Sequence, residues 1–325
     1  MVERIIIDTD PGIDDALAML LALQSPEVNI AAITTVSGNV PVETGTRNVS
    51  RVFSLLPSAV RPPVASGAAR PLQKHPVFAT HIHGEDGLGS LDRCLDDAGN
   101  RRYAPQGVTT SGRDGVDEIL HQLSVTPEPT SIIALGPLTN IAAAIEKDKE
   151  TMAAVKQIIL MGGAVNVAGN VTPVAEFNIY VDPHAACIVF ASGIPLTVVG
   201  LDVTTQVGLT RNMIEKAVTS HQTPISYFLR DCTRDLITWA EEHYGEAVFF
   251  LHDPLAIGVV IDPSFVTTSP MHVEIETEGE LTEGMMVSDR RRLKPELKKS
   301  PNANVCVEVD DERFLRFFME RLLGG

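Results

Sequence analysis

The sequence has few of the features that mark secreted, membrane-embedded or disulfide-stabilised proteins. It contains four cysteines in 325 residues, scattered without a CxxC pair or zinc-type spacing, which argues against a disulfide framework and a zinc centre. The longest apolar stretch, residues 185–201, is interrupted by polar residues and proline, whereas a membrane span needs about 20 apolar residues. No signal peptide is recognisable. We therefore expect a cytoplasmic protein with no membrane partner.

Positive charge is also scarce. Lysine and arginine total 26 against 42 aspartates and glutamates, giving a formal net charge of −16. A chain of this charge repels phosphate backbones, so nucleic acid is not an expected partner. A neutral or cationic small molecule, or a bound metal ion, fits this balance better.

Short apolar runs alternate with amphipathic stretches along most of the chain. The pattern predicts strands at residues 4–7, 28–36, 63–66, 131–135, 157–161 and 196–200, and helices at 16–23, 42–56, 115–123, 138–145 and 183–191. Such alternation is typical of an open, mostly parallel, doubly wound α/β sheet with helices on both faces. Short strands at 271–276, 284–287 and 305–309, followed by a helix at 312–323, predict a small β-rich C-terminal part. No linker or repeat is visible, so we expect one domain over residues 1–325.

Two segments, residues 72–106 and 219–251, are long and poorly periodic. Long irregular segments in compact domains are often functional lids, and the alternative is surface decoration.

The stretch DTDPGIDDALAML, residues 8–20, crowds four carboxylates beside an apolar segment. Pro11 and Gly12 favour a tight turn after the first strand, and Asp14 and Asp15 fall in the first turn of the next helix. A solvated acidic turn is the ordinary interpretation, but the apolar flanks predict that these side chains point into a crevice of the sheet. Carboxylates held there require a cation, and an all-oxygen set favours Ca²⁺ or Mg²⁺.

Other polar residues follow other predicted strands. Ligands bind at the carboxyl ends of the strands in open parallel sheets, so segments far apart in sequence are expected to converge there. Each of these residues also has an ordinary interpretation, as a turn residue, a helix cap or a half-buried side chain. They are Asn39, Thr139, Asn140, Asn170, Glu176, Asn178, His252 and Asp253.

In combination these segments resemble the ribonucleoside hydrolases of the inosine-uridine type. The resemblance covers nearly the whole chain, in the family's order. It is carried by DTDPGIDDALAML at Asp8, SGN at Ser37, HGEDGLG at His83, ALGPLTNIA at Ala134, MGG at Met161, GNVTPVAEFNIYVDPHAA at Gly169 and HDPLAIG at His252.

The resemblance implies a set of site residues in the nucleoside hydrolase fold. It implies that Ca²⁺ is bound by the carboxylates of Asp10, Asp15 and Asp253 and by the backbone carbonyl of Leu135. It assigns the ribose to Asp14, Met161, Asn170, Glu176 and Asn178, the attacking water to Asn39, and the nucleobase to His83 and His252. Asp8 is expected to support the loop. The family also suggests a homo-oligomer, a tetramer or dimer.

The implied reaction is hydrolysis of the N-glycosidic bond of ribonucleosides to ribose and free base, through an oxocarbenium-like transition state. Ca²⁺ would activate the water, Asp10 is the candidate general base, and His252 the candidate acid for the departing base. Purine-specific relatives place a tryptophan before the aspartate of HDP, so His252 favours broad or pyrimidine and inosine preference. Tyr227, Phe228, Trp239 and Tyr244 are expected either to stack on the base or to pack in the core.

Three alternatives stay open at this point. A phosphatase of the haloacid dehalogenase type also begins with Asp-x-Asp, but Pro11-Gly12 and the paired Asp14-Asp15 depart from its pattern, and no phosphate cradle accompanies them. A non-catalytic, calcium-dependent nucleoside- or sugar-binding protein would share the same fold. A hydrolase of another N-riboside would share the same ligands.

Overall fold

The protein is described by a computed structural model that covers residues 2–57, 61–105, 107, 110–291 and 294–324. Gln106, the predicted end of one irregular segment, lies outside this range. The strands in it are β1 (Glu3–Thr9), β2 (Val28–Thr35), β3 (Val64–Ser66), β4 (Thr130–Ala134), β5 (Gln157–Met161), β6 (Leu196–Val199), β7 (Gly208–Thr210), β8 (Val248–Phe250), β9 (Val266–Met271), β10 (Val273–Ile275), β11 (Met286–Ser288) and β12 (Ala303–Val309).

The helices are distributed between these strands along the chain. They are α1 (Ile13–Leu23), α2 (Val42–Ser54), α3 (Thr80–His83), α4 (Gly115–Ser124), α5 (Thr139–Lys147), α6 (Lys149–Met152), α7 (Phe177–Val181), α8 (Pro183–Ala191), α9 (Leu201–Thr204), α10 (Arg211–His221), α11 (Pro224–Tyr244), α12 (His252–Ile261) and α13 (Asp311–Leu323). Asp182, directly before Pro183, caps α8: its side chain accepts a hydrogen bond from the backbone N–H of Ala185.

Eight strands form one sheet in the order β3-β2-β1-β4-β5-β6-β12-β9. All neighbouring pairs are parallel except β12 and β9. The mostly parallel α/β fold is thereby confirmed. The C-terminal strands β12 and β9 extend this sheet, while β10 and β11 pair separately as an antiparallel hairpin.

The triplet Ile5-Ile6-Ile7 in β1 shows why both faces of the sheet are covered. Successive strand residues point to opposite faces, and Ile5 and Ile7 pack into one apolar core while Ile6 packs into a second. The first core also contains residues of α1, α11, α12 and α13, and the second contains residues of α4, α5 and α8. A strand buried on both sides explains the unbroken apolar run in the sequence.

The strand order reverses at β1. The chain proceeds outward through β2 and β3 on one side of β1, and then returns to β4 on its other side. At such a switch point the loops after adjacent strands diverge and leave a crevice at their carboxyl ends. The loop after β1 carries the acidic stretch, which therefore lies at this crevice.

The segment 219–251 differs from the prediction of an irregular region. It contains the end of α10, the 21-residue helix α11 and strand β8. Thr223 caps α11 through a reciprocal bond with Ser226, and Gly245 ends it in the left-handed conformation. No helix among the described residues is long and apolar enough to cross a membrane.

Candidate active site

Five aspartates from four parts of the fold converge on the crevice. Asp8 lies at the end of β1, Asp10 in the following loop, and Asp14 and Asp15 in the first turn of α1. Asp253 lies in the first turn of α12, where its side chain does not cap the helix. None of the five is more than 8% exposed. The cluster is therefore buried, which excludes the solvated acidic turn.

Three of these carboxylates form a group suited to a metal ion. Asp14, Asp15 and Asp253 each offer an oxygen, and these oxygens lie within 4.8 Å of one another. In the described part of the chain, one oxygen of Asp14 and one of Asp10 have no hydrogen-bond partner. Because buried acceptors without partners are costly, the free oxygens fit a cation, and oxygen ligands of this kind suit Ca²⁺.

The electrostatics of the cluster support the same conclusion. Burial, with repulsion from Asp15 as a second cause, raises the pKa of Asp14 to about 8. Burial also raises the pKa of Asp10, Asp15 and Asp253 above the usual range, and that of Asp8 to about 7. Carboxylates with such pKa values resist ionisation until a positive charge offsets their desolvation and mutual repulsion.

Asp15 is oriented by four donors. Its Oδ1 accepts from the Thr9 hydroxyl and, at 3.3 Å, from the backbone N–H of Asp10. Its Oδ2 accepts from the backbone N–H of Gly12 at 2.9 Å and from Asn39 Nδ2 at 3.0 Å. Asn39 is thus tied to the acidic cluster as well as being a turn residue after β2.

Asp10 is held in a narrow slot between two glycines. Its Oδ2 accepts the backbone N–H of Asn39 at 2.6 Å. A Cβ on Gly38 would overlap this oxygen, and a Cβ on Gly136 would lie 2.6 Å from Oδ1. Only glycine at both positions leaves room for the Asp10 carboxylate.

Of the residues predicted to hold the ribose, Asn178 contacts the ends of β4 and β5. Asn178 Nδ2 donates to the carbonyl of Leu135 at 2.7 Å and to the carbonyl of Met161 at 3.1 Å. It thereby ties two strand ends together next to the carbonyl predicted to bind the metal. The second lone pair of the Leu135 carbonyl is still available to a ligand.

Glu176 is buried, at 2% exposure, and both its oxygens are engaged by backbone groups. They accept the N–H groups of Gly163 at 2.8 Å, Asn178 at 2.9 Å and Ile179 at 3.2 Å, so Glu176 caps α7. Burial raises its pKa. Asn170 is exposed, and its side chain accepts the backbone N–H of Phe177 at 3.0 Å. Both side chains thus shape the loop between β5 and α7.

Two histidines adjoin the acidic residues, one through the start of α1 and one directly before Asp253. His83, at the end of α3, accepts the backbone N–H of Ile13 on Nδ1 at 3.1 Å. His252 Nδ1 lies 2.7 Å from the Thr204 hydroxyl. Burial is the main cause that lowers the pKa of His83 to about 3 and of His252 to about 4, so both rings are neutral at pH 7. A positive charge on His252 is a second cause that lowers the pKa of His83.

The four aromatic residues predicted as alternatives for the base or the core have different surroundings. Phe228 is fully buried and packs edge to face on Tyr103, with ring centroids 5.5 Å apart. It belongs to the core. Trp239 is half-buried and stacks on His243 at 4.5 Å, and Tyr244 is 72% exposed. Tyr227 is half-buried and lies beneath the guanidinium of Arg230.

Two groups in the site were missed by sequence reasoning. Thr204 contacts His252 from the helix that follows β6, a position that the rule of polar residues after strand ends would have indicated. Asn48 Nδ2 donates to the carbonyls of Pro11, at 3.0 Å, and Asp86, at 2.8 Å, and so joins the acidic loop to the His83 loop. Asn48 lies inside a helix, and no local pattern distinguishes it.

The fold, the crevice and its acidic cluster define a class of enzyme, and the comparison with protein families identifies it. The chain belongs to the inosine-uridine preferring nucleoside hydrolases, whose family model matches residues 5–316. It is a ribonucleoside hydrolase that acts on small-molecule nucleosides. This excludes the phosphatase alternative.

Particular relatives are similar over almost their whole length. A pyrimidine-specific ribonucleoside hydrolase RihA of Salmonella agona is 40% identical over 321 residues, covering 98% of this chain and 97% of the relative. RihA of Escherichia coli O7:K1 is 39% identical over 319 residues, with the same coverage.

Two solved structures have the same fold. The plant nucleoside hydrolase PpNRh1 has a TM-score of 0.89 at 33% identity, with all of both chains covered. A purine-preferring ribonucleoside hydrolase from Gardnerella vaginalis has a TM-score of 0.87 at 35% identity, covering 99% of this chain and 98% of that one.

Proposed function

We propose that this enzyme is a calcium-dependent ribonucleoside hydrolase of broad specificity that prefers pyrimidine ribonucleosides and inosine. The observation that carries the calcium dependence is the buried carboxylate group of Asp14, Asp15 and Asp253, with free oxygens on Asp10 and Asp14. The carbonyl of Leu135 would add a neutral ligand. A bound Ca²⁺ would supply the missing positive charge and lower the pKa of a water molecule in the crevice.

The residues of the chain then have distinct parts in hydrolysis. Asp10 is the proposed base: its Oδ1 is free among the described residues, while its Oδ2 is held by the backbone of Asn39. It accepts a proton from the water whose oxygen bonds to C1′. Asn39 positions that water, since it contacts both Asp10 and Asp15. Fixing the two carboxylates in advance reduces the reorganisation needed in the transition state.

The ribose is proposed to lie against Asp14, Met161, Asn170, Glu176 and Asn178. Amides and carboxylates suit hydroxyl groups, and Asn178 and Glu176 are rigid because each makes several bonds to the backbone. Asp14 has a free oxygen that can accept a ribose hydroxyl or bind the metal ion.

The base is proposed to leave beside His83 and His252. As the N-glycosidic bond breaks, its electron pair moves onto the base, and a neutral imidazole N–H donates a hydrogen bond to the developing anion. We assign His252 the role of this neutral hydrogen-bond donor rather than that of an imidazolium acid, because its lowered pKa keeps the ring neutral at pH 7. Similarity to pyrimidine-specific relatives supports the proposed base preference, as does the presence of His252 in HDP.

The decisive experiment measures kcat/KM for uridine, cytidine, inosine, adenosine and guanosine, with ribose release followed by a reducing-sugar assay. We expect uridine, cytidine and inosine to exceed adenosine and guanosine. Low, equal activity on all five would favour another N-riboside as substrate, and binding without ribose release would favour a non-catalytic nucleoside-binding protein.

Calcium dependence is tested separately, by elemental analysis of the purified enzyme and by chelation. We expect bound calcium, loss of activity after chelation and recovery on adding Ca²⁺. A metal-free, fully active enzyme would refute the calcium proposal while leaving the hydrolase class intact. Assembly into a tetramer or dimer remains a prediction that sedimentation velocity can test.

A further inference from the structure

Thr204 lies at the end of α9, the four-residue helix that follows β6, and its side chain is fully buried. Its Oγ1 lies 2.7 Å from Nδ1 of His252, the first residue of α12. The two residues are 48 positions apart in the sequence, so this contact is made by the tertiary fold.

The hydroxyl of Thr204 is used differently from that of its neighbour. Thr205 is exposed and donates to the carbonyl of Leu201 at 2.7 Å, which is the usual bond of a hydroxyl within a helix. In the described part of the chain, the bond recorded for the Thr204 side chain is to the ring of His252.

A hydroxyl group can either donate or accept, and it therefore suits Nδ1 in both protonation states of the ring. When the ring is neutral, the hydroxyl could accept from Nδ1–H, but its own buried proton would then have no recorded acceptor among the described residues. Donation from the hydroxyl to Nδ1 satisfies that proton and leaves the ring proton on Nε2. When the ring is charged, Nδ1–H donates to the hydroxyl and Nε2 also carries a proton. In either case Nε2 is a donor.

The ring of His83 also has its proton on Nε2, but a backbone amide rather than a hydroxyl fixes it there. The backbone N–H of Ile13 can only donate, so Nδ1 of His83 is an acceptor and the proton of the neutral ring is on Nε2. A backbone amide and a buried hydroxyl thus set the same tautomer in the two histidines of the site.

We propose that Thr204 is a positioning residue that holds the His252 ring and keeps a proton on Nε2, directed to the departing nucleobase. As the glycosidic electron pair moves onto the base, the hydrogen bond from Nε2–H stabilises the resulting anion, which takes its proton from water on release. This inference rests on the proposed function, since it gives His252 its leaving-group role.

Three variants test the proposal. Thr204→Val removes the hydroxyl with little change of shape, Thr204→Ser keeps it, and Thr205→Val removes a hydroxyl one residue further on that does not touch His252. Each is assayed on uridine, whose base is a poor leaving group, and on p-nitrophenyl riboside, whose phenolate leaves without assistance.

We expect Thr204→Val to lower kcat for uridine on the order of 10- to 100-fold, by analogy with the loss when a partner that orients a metal-ligating histidine is removed. Its kcat for p-nitrophenyl riboside should stay within about threefold of wild type, because that leaving group needs no donor. Thr204→Ser and Thr205→Val should retain wild-type kcat on both substrates. Equal losses on the two substrates, or no loss on uridine, would overturn the proposal.

A spectroscopic measurement supplies a readout besides activity. In a two-bond ¹H–¹⁵N correlation spectrum of the ¹⁵N-histidine-labelled enzyme, we expect His252 as the Nε2–H tautomer in the wild type and in Thr204→Ser, and a mixture of tautomers in Thr204→Val. A wild-type ring with its proton on Nδ1 alone would refute the assignment. If the wild-type enzyme released no base from any nucleoside, the proposed function would be refuted. The tautomer measurement would still test whether Thr204 keeps the proton of His252 on Nε2.

Discussion

Gly38→Ala is predicted to lower activity by displacing the Asp10 carboxylate. A Cβ at this position would overlap Oδ2 of Asp10 and lie 2.8 Å from Cδ of Pro137, so the Asp10 carboxylate has to move. The movement breaks the 2.6 Å bond from the backbone N–H of Asn39. A hydrogen bond to a charged group contributes about 1.5–3 kcal/mol, and each 1.4 kcal/mol of barrier is roughly a factor of ten in rate. We therefore expect kcat/KM for uridine to fall about 10- to 150-fold.

The assay compares Gly38→Ala with Gly107→Ala, since a Cβ at exposed Gly107 would meet no atom of the described residues within 4 Å. Activity and calcium content are measured on the same preparations, and circular dichroism checks that the variants are folded. Gly136→Ala should behave like Gly38→Ala, because its Cβ would lie 2.6 Å from the other oxygen of Asp10. A folded Gly38→Ala enzyme with wild-type kcat/KM would refute the claim that activity depends on the space that Gly38 and Gly136 leave for Asp10.

Three further predictions concern the site and the core. Between about pH 4 and 8 the chelated protein should lose stability as pH rises. Burial raises the pKa of Asp8 to about 7 and that of Asp14 to about 8, so the native state binds more protons than the unfolded state in this range. A free energy of urea unfolding that is no lower at pH 8 than at pH 5.5 would contradict this. Glu176→Gln should lower Tm as well as kcat/KM, because the side chain caps α7; thermal unfolding that is unchanged would assign Glu176 to substrate alone. Ile6→Ala should cost about 2–5 kcal/mol in urea unfolding while the folded enzyme keeps its kcat, since Ile6 is fully buried in the core on the α4, α5 and α8 face; a smaller loss would mean that the cavity collapses.

Much of the fold was predictable because the local signals were strong. Hydrophobic periodicity, with glycine and proline at the breaks, predicted the alternating strands and helices. Strand β5 and helix α8 have the predicted bounds. The errors occurred where tertiary packing decides. Helix α1 begins at Ile13, so Asp14 and Asp15 lie in its first turn as predicted, although the apolar pattern predicted a helix only from residue 16. Helix α11 was missed because charged residues on its outer face interrupt its apolar residues. The predicted strand at 271–276 is divided at His272 between β9 and β10.

The residue types that crowd the crevice were also predictable, since polar side chains after buried strands have few other places to lie. No sequence pattern indicated how these side chains are arranged relative to one another. Asp253 lies at the start of a helix, where capping was an equally good interpretation, and only the packing of α12 beside α1 brings it to Asp14 and Asp15.

By itself the sequence determined the class of fold, the acidic chemistry of the site and the family, because these depend on local periodicity and on the order of short motifs. Only the tertiary structure decided which oxygens of Asp10 and Asp14 are without a partner among the described residues, that Glu176 caps α7, and that Thr204 contacts His252. Those features depend on distances between segments up to about 240 residues apart, such as Asp15 and Asp253, and such distances are set by how helices pack on the sheet.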